Sequence, residues 1–293
     1  MDLKELYEKL LELLDSKAAA ASIDKTELQD YFTPEGVLLK QNYLERLASS
    51  LQNSGMMHNS IRFNESRERR ELIKSALCDF DGKAALDKFN NAEELYNALT
   101  DVGRLDAGLQ KQINNDTKAE ARAKKKGMHY TPKKHLPTNW QKYANGLFDG
   151  LKFLYNEKGI ELIDGLCKDP TSENELKSKL KTLGGIEKRI HGLGFALCCD
   201  WIKECGARWL AKPDVHIKVV ASYAAQNEEL LSDQKTIEFM YSWATEAGTT
   251  AYELDKVIWL ICTGNFYLKR DMINRDSILK AVKELQKNYL KGL

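Results

Sequence analysis

The sequence predicts an all-α fold, and three observations carry that expectation. Leu, Lys, Glu and Ala dominate, and only five prolines occur in 293 residues, a composition rich in helix formers and poor in helix breakers. Apolar residues recur three and four positions apart in segment after segment. No stretch alternates apolar and polar residues, or runs apolar between turn signals, in the way a strand does. A chain of this length holds one large domain or two modest ones, with a core that needs no staple.

The elements follow in chain order. Residues 3–14 place Leu3, Leu6, Leu10, Leu13 and Leu14 on one helical face. A polar break around "SIDKTELQD" comes next, then helical patterns over 40–53 and 65–79. "DFDG" at 79–82 is a turn signal, and "NAEELYNALTDVG" is a further helix. From Trp140 a helix carries Leu147, Leu151 and Leu154 on one face, with Tyr143 and Phe148 at its edges. In "LIDGLCKDPTSENELKSKLKTLGG", Ser172 and Glu175 have the spacing of a capping box. Three closing helices are expected in "TIEFMYSWATEAG", "AYELDKVIWLICTGNFYL" and "DSILKAVKELQKNYL", the second with Val257, Ile258 and Ile261 facing the core.

The formal net charge is only +1, so any signal for a polyanionic partner must be local. One such signal exists. Between Lys118 and Lys134 stand Lys118, Arg122, Lys124, Lys125, Lys126, Lys133 and Lys134 against the single acid Glu120. The surrounding segment, about 111–138, has two of the five prolines and almost no large aliphatic residues. It reads as an exposed, partly disordered insertion, either a solvated loop or an arm that contacts phosphates through Lys124, Lys125 and Lys126.

Six cysteines occur without a C-x-x-C pair, which favours buried thiols in a reducing compartment over a metal or cluster site. The N-terminus lacks the basic start and apolar run of a signal peptide. No apolar stretch approaches the ~18 residues of a membrane span. A cytoplasmic, non-secreted monomer is expected, nucleoid-associated if bacterial, with no membrane partner.

Residues 190–220 hold the most informative pattern. Gly192 and Gly194 flank Leu193 in a turn that leads into a helix from Phe195 to Glu204, with Phe195, Cys198, Ile202 and Cys205 at core spacing. Glycine permits a tight turn and lets an anion approach the backbone. The amides at a helix N-terminus are unpaired donors at the positive end of a dipole. Eighteen residues after Ala196 comes Asp214, in "KPDVHI". An Asp before an apolar helix is a good N-cap, and it can also be a functional carboxylate.

Together these residues resemble the helix-hairpin-helix DNA glycosylase superfamily, of the endonuclease III and alkyladenine glycosylase type. Ile190-His191-Gly192-Leu193-Gly194 is similar to the family's Leu-Pro-Gly-hydrophobic-Gly hairpin. Asp214-Val215-His216 is similar to its Val-Asp-Thr-His segment, whose Asp is catalytic. The resemblance is firm over about 180–220 and only architectural elsewhere. It implies two helical subdomains with a DNA-binding cleft between them. Residues 41–206 would form a six-helix barrel that includes the basic insertion. Residues 1–40 and 207–293 would form the second subdomain, with Asp214 at the mouth of the cleft.

The departures from the family pattern carry expectations of their own. His191 replaces the usual Pro, and Pro213 stands where Val is usual, fixing the chain's approach to Asp214. Ala196 occupies the position of the Schiff-base lysine found in bifunctional members, so no covalent imine forms there. The resemblance therefore implies a monofunctional glycosylase that flips a damaged or modified base from double-stranded DNA and leaves an abasic site. The base could be an alkylated one or a hypermodified phage base. No cofactor is expected, and no iron–sulfur cluster, because only Cys262 lies near the C-terminus; a monovalent cation at the hairpin is compatible with the resemblance.

The roles implied are as follows. Asp214 stabilises the cationic sugar that forms as the base departs. At ~4 Å and an effective dielectric of ~20 that attraction is about 4 kcal/mol, roughly a thousandfold in rate. Gly192, Leu193, Gly194 and His216 grip the DNA backbone. Asp200 and Ala196, which share a helix face, and Trp201 are candidates for the base pocket, although Asp200 could instead face solvent or pair with Lys203. Gln52 or Asn53 is the candidate wedge that fills the gap left by the base, or else a simple helix end. The alternative is a non-catalytic helix-hairpin-helix protein that only grips DNA, and a weaker one is a helical scaffold. A pure binder has no need of Asp214.

Overall fold

The computed structural model describes residues 2–101, 106–132 and 135–269. Among them every regular element is a helix, with no β-strand. In chain order these are α1 (Leu3–Ala20), α2 (Lys25–Asp30), α3 (Glu35–Leu38), α4 (Tyr43–Leu51), α5 (His58–Ile61), α6 (Arg67–Ala76), α7 (Gly82–Lys88) and α8 (Ala92–Asp101), followed by α9 (Ala107–Lys125), α10 (Asn139–Asn156), α11 (Gly159–Cys167), α12 (Glu173–Glu187), α13 (Phe195–Glu204), α14 (Val215–Ala224), α15 (Asp233–Ala247) and α16 (Ala251–Thr263). The last expected helix, in 276–290, lies outside the described residues, as do Lys133 and Lys134.

The chain divides into two units. The first comprises the chain up to Gln41, Glu161–Gly185, and the chain from Phe195 onward. The second comprises Asn42–Ile160 and Ile186–Gly194. The sequence reading drew a boundary at 206/207; in the structure 161–185 and 195–206 go instead with the terminal segments. The reason is visible on α13. Its Lys203 meets Asp255 of α16, and Glu204 accepts hydrogen bonds from the Glu35 backbone N–H and the Tyr252 hydroxyl. A buried charge goes with the element that neutralises it.

In the first unit, Asp2 caps α1 by accepting from the Lys4 and Glu5 N–H groups. The apolar face of α1 supplies Leu10 and Leu14 to a core shared with Ile217 and Ala221 of α14, Met240 and Trp243 of α15, and Val257, Ile258 and Ile261 of α16. Each fully buried side chain of this size contributes roughly 1.5–3 kcal/mol. Trp243 Nε1 also donates to the Leu3 carbonyl at 2.8 Å.

In the second unit α10 occupies the centre, packed against α4, α7 and α8. A capping box of Thr138 and Gln141 starts it. Its buried face holds Trp140, Tyr143, Leu147, Leu151 and Leu154, and the Tyr143 hydroxyl donates to the Ala48 carbonyl at 2.8 Å. A Cβ at Gly150 would fall 2.1 Å from Leu47 Cδ2, so glycine sets how closely α4 approaches.

The expected disorder of the basic insertion is corrected over 107–125, which is α9. Asp106 caps this helix through the Leu109 N–H, and its residues are mostly good helix formers. Arg122, Lys124 and Lys125 fall in its last turn, where positive charge suits the helix dipole. The chain beyond folds back on it, with the Tyr130 hydroxyl 2.7 Å and His135 Nε2 2.5 Å from the Asp116 carboxylate.

Candidate functional site

The glycine turn is anchored from below and open above. Ile190 and Leu193 are buried, and the Leu193 N–H donates to the Ile190 carbonyl at 3.2 Å. Gly192 adopts φ +77°, a left-handed conformation that side chains disfavour. His191, Gly192 and Gly194 are exposed. The N–H groups of Gly192 and Gly194 meet no acceptor among the described residues, and α13 begins at the next residue. A Cβ at Gly194 would touch nothing within 4 Å. Unpaired amides beside a helix N-terminus attract anions. The His191 N–H donates to Asp149 Oδ2 at 3.1 Å, a bond that proline at this position would forfeit.

The turn after α4 lies beside the glycine turn: a Cβ at Gly192 would stand 3.6 Å from Ser54 Oγ. Here the two wedge candidates separate. Gln52 is fully buried, and its Oε1 accepts from the Phe63 N–H at 2.9 Å. It holds the turn from within and is not available as a wedge. Asn53 is exposed.

Asp214 is built by a local device. Pro213 precedes it, and the Asp214 N–H bonds back to the Lys212 carbonyl at 2.8 Å. The carboxylate then caps α14, Oδ1 accepting from the His216 and Ile217 N–H groups at 3.0 and 3.1 Å. Oδ2 accepts no hydrogen bond from the described residues. The side chain is half-exposed, as is that of His216. One oxygen is thus committed to structure and the other is not.

Behind Asp214 lies a buried ionic network that sequence reasoning missed. Asp255 Oδ2 accepts from Lys203 Nζ at 2.5 Å and from the Lys212 N–H at 3.3 Å. Lys256 Nζ lies 2.7 Å from Glu204 Oε1 and 2.7 Å from the Tyr267 hydroxyl. Lys203 and Lys256 also sit over the Tyr252 ring, at 5.1 and 5.3 Å. Burial alone would discharge Lys203, but the carboxylates around it, Asp255 foremost, outweigh burial and raise its pKa. Burial pushes the Asp255 carboxyl up against the pull of Lys203, and the charge of Asp214 adds to that push. Burial and then the same Asp214 charge lift the Cys262 thiol to about 12. The hint in the sequence was the charged pair Asp255 and Lys256 directly before the apolar run Val257–Cys262 of α16.

The base-pocket candidates fare differently. Trp201 is fully buried in the first unit and offers no face for stacking. Asp200 is 8% exposed and pairs with Lys212 at 3.4 Å, and its charge also helps to raise the Lys203 pKa. Ala196 is half-exposed. Lys124, Lys125 and Lys126 are exposed. Among the described residues no cluster of three or more His, Cys, Asp or Glu side chains is arranged to hold a metal, and no helix is long and apolar enough to cross a membrane. Comparison with protein-family models, with curated proteins and with solved structures finds no match to this chain.

Proposed function

We propose that the chain is a monofunctional DNA glycosylase of the helix-hairpin-helix type, which hydrolyses the N-glycosidic bond of a damaged or modified base extruded from double-stranded DNA. The observation that carries this reading is the division of labour in Asp214. Oδ1 is used in capping α14, while Oδ2 accepts nothing from the described residues. A pure cap needs no second oxygen, whereas a sugar turning cationic needs a fixed anion. The exposed Gly192 and Gly194 amides support a grip on the phosphate beside the flipped nucleotide, and Asn53 supplies the exposed polar side chain next to that turn.

In this reading water attacks C1′ and the N-glycosidic bond breaks, its electron pair leaving with the base. Asp214 stabilises the cationic sugar and takes a proton from the water. Ala196 offers no amine, so the sugar is left as an intact abasic site with no strand cut by β-elimination.

The test is a panel of duplexes bearing alkylated, deaminated, oxidised and glucosylated bases, together with phage DNA, scored for alkali-labile sites. Product that requires alkali, and that disappears in Asp214→Asn while DNA binding persists, supports the reading. Equal product in Asp214→Asn removes the assigned role, and strand scission without alkali removes the monofunctional one. DNA binding with no product on any substrate favours a non-catalytic binder.

A further inference from the structure

Helix α9 spans nineteen residues, and none of them is buried. Core packing therefore does not explain why it is kept. Its charges are sorted by the helical period. At about 100° per residue, Lys111, Lys118, Arg122 and Lys125 fall within a stripe about 60° wide, and at ~1.5 Å per residue they extend over about 21 Å. The acids Asp116 and Glu120 stand about 140–180° away from Lys111. Asp116 is occupied there with Tyr130 and His135. All four cations of the stripe are exposed, as are its flanking residues Asn114 and Asn115.

None of the four cations forms an ion pair among the described residues. Two helical lysines elsewhere in the chain do: Lys9 meets Glu5 at 2.6 Å and Lys177 meets Glu173 at 2.5 Å, both four residues apart. On α9 the four-residue neighbour of Lys118 is Arg122, a like-charge pair that opposes helix formation. A row of unneutralised cations along one face fits a linear polyanion. A membrane surface fits less well, because an interfacial helix needs a broad apolar face. Here the large aliphatic side chains are only Leu109 and Ile113, which line a cavity with Tyr96 and Thr100.

We propose that this face of α9 is a track for the phosphate backbone of double-stranded DNA, contacted by Lys111, Lys118, Arg122 and Lys125, with Asn114 and Asn115 as neutral donors beside them. At ~3.4 Å per phosphate along the axis of one strand, the stripe runs beside about six base-pair steps. The track uses helical register rather than the run Lys124-Lys125-Lys126, of which Lys124 lies about 100–160° away from the members of the stripe. The choice of duplex DNA over another polyanion rests on the glycosylase reading.

The test uses the full chain, carrying Asp214→Asn, on an unmodified duplex, with affinity measured against salt between about 50 and 200 mM. Each lost phosphate contact lowers the log–log slope by about 0.9, so Lys111→Gln/Lys118→Gln/Arg122→Gln together should lower it by about 2.7. Lys124→Gln should leave it unchanged, as should the charge-matched Lys4→Gln/Lys9→Gln/Lys25→Gln. Gln is a good helix former, and unchanged helical circular dichroism confirms the fold. No duplex binding by the parent protein, an unchanged slope in the stripe variant, or an equal change in either control overturns the track. Excision is not part of the readout. An unchanged slope or an equal change in a control therefore leaves the glycosylase reading standing, absence of duplex binding counts against both, and an inactive enzyme leaves the slope result standing.

Discussion

Lys203 Nζ lies 2.5 Å from Asp255 Oδ2, and both side chains are almost wholly buried. Removing one partner of such a pair leaves an uncompensated charge, at a cost of about 3–5 kcal/mol. Lys203→Met is therefore expected to lose stability on that scale in urea titration. Lys203→Met/Asp255→Asn should recover much of the loss, since Asn removes the stranded charge and keeps an acceptor for the Lys212 N–H. A double variant no more stable than the single one would mean that Asp255 is not the residue left stranded.

Asp214 should separate its two roles by substitution. Asn caps helices about as well as Asp, whereas Ala forfeits about 1 kcal/mol. Asp214→Asn is expected to match the parent's unfolding midpoint, and Asp214→Ala to fall below it by that amount. Both should fail to release a base. If Asn destabilises as much as Ala, the cap does not depend on Oδ1.

Gly146 controls the seating of the glycine turn. A Cβ there would lie 2.6 Å from the His191 carbonyl oxygen and 3.0 Å from Leu51 Cδ2. Backbone cannot swing aside as a flexible side chain does, so Gly146→Ala is expected to cost about 1–3 kcal/mol through overpacking. It should also weaken duplex binding, because the displaced carbonyl belongs to the turn itself. Wild-type affinity in a destabilised Gly146→Ala protein would separate the turn from the grip on DNA.

The Cys262 thiol gives a test in the alkaline range. Its pKa rises from an ordinary 9.0 to about 12, through burial and then the negative charge of Asp214. A folded pKa above the unfolded one contributes stability that is full below pH 9 and fades as pH rises towards 12. Cys262→Ala should therefore show a shallower loss of stability between pH 9 and 12 than the parent. Asp214→Asn should lower the Cys262 pKa, read by thiolate absorbance against a Cys262→Ala blank. No change would mean that Asp214 carries no charge near the thiol.

The parts of the fold legible in the sequence were those set by local period. Leu10 and Leu14 on α1, and Leu147, Leu151 and Leu154 on α10, are buried as their spacing indicates. Asp214 was legible as a cap because its device is contained within Lys212–Ile217. Composition misled where it outweighed propensity: lysines and prolines suggested a loose arm, yet 107–125 is helical. Residue type misled at Gln52, a polar side chain buried because a backbone donor at Phe63 needs it. The pairing of Lys203 with Asp255 was not legible, although Asp255 stood out as an acid beside an apolar run. The two are 52 residues apart, and no local pattern reports which distant helix will neutralise a buried charge.

The interleaving of the two units bears on how the protein is made. The Leu3 carbonyl waits for Trp243, 240 residues later, which at ~5–20 residues per second is about 12–48 s of synthesis. The unit of α4–α10 is complete once Gly194 has left the ribosome. The apolar face of α1 must meanwhile stay uncovered in the nascent chain, so that helix is where a chaperone would be expected to bind during translation.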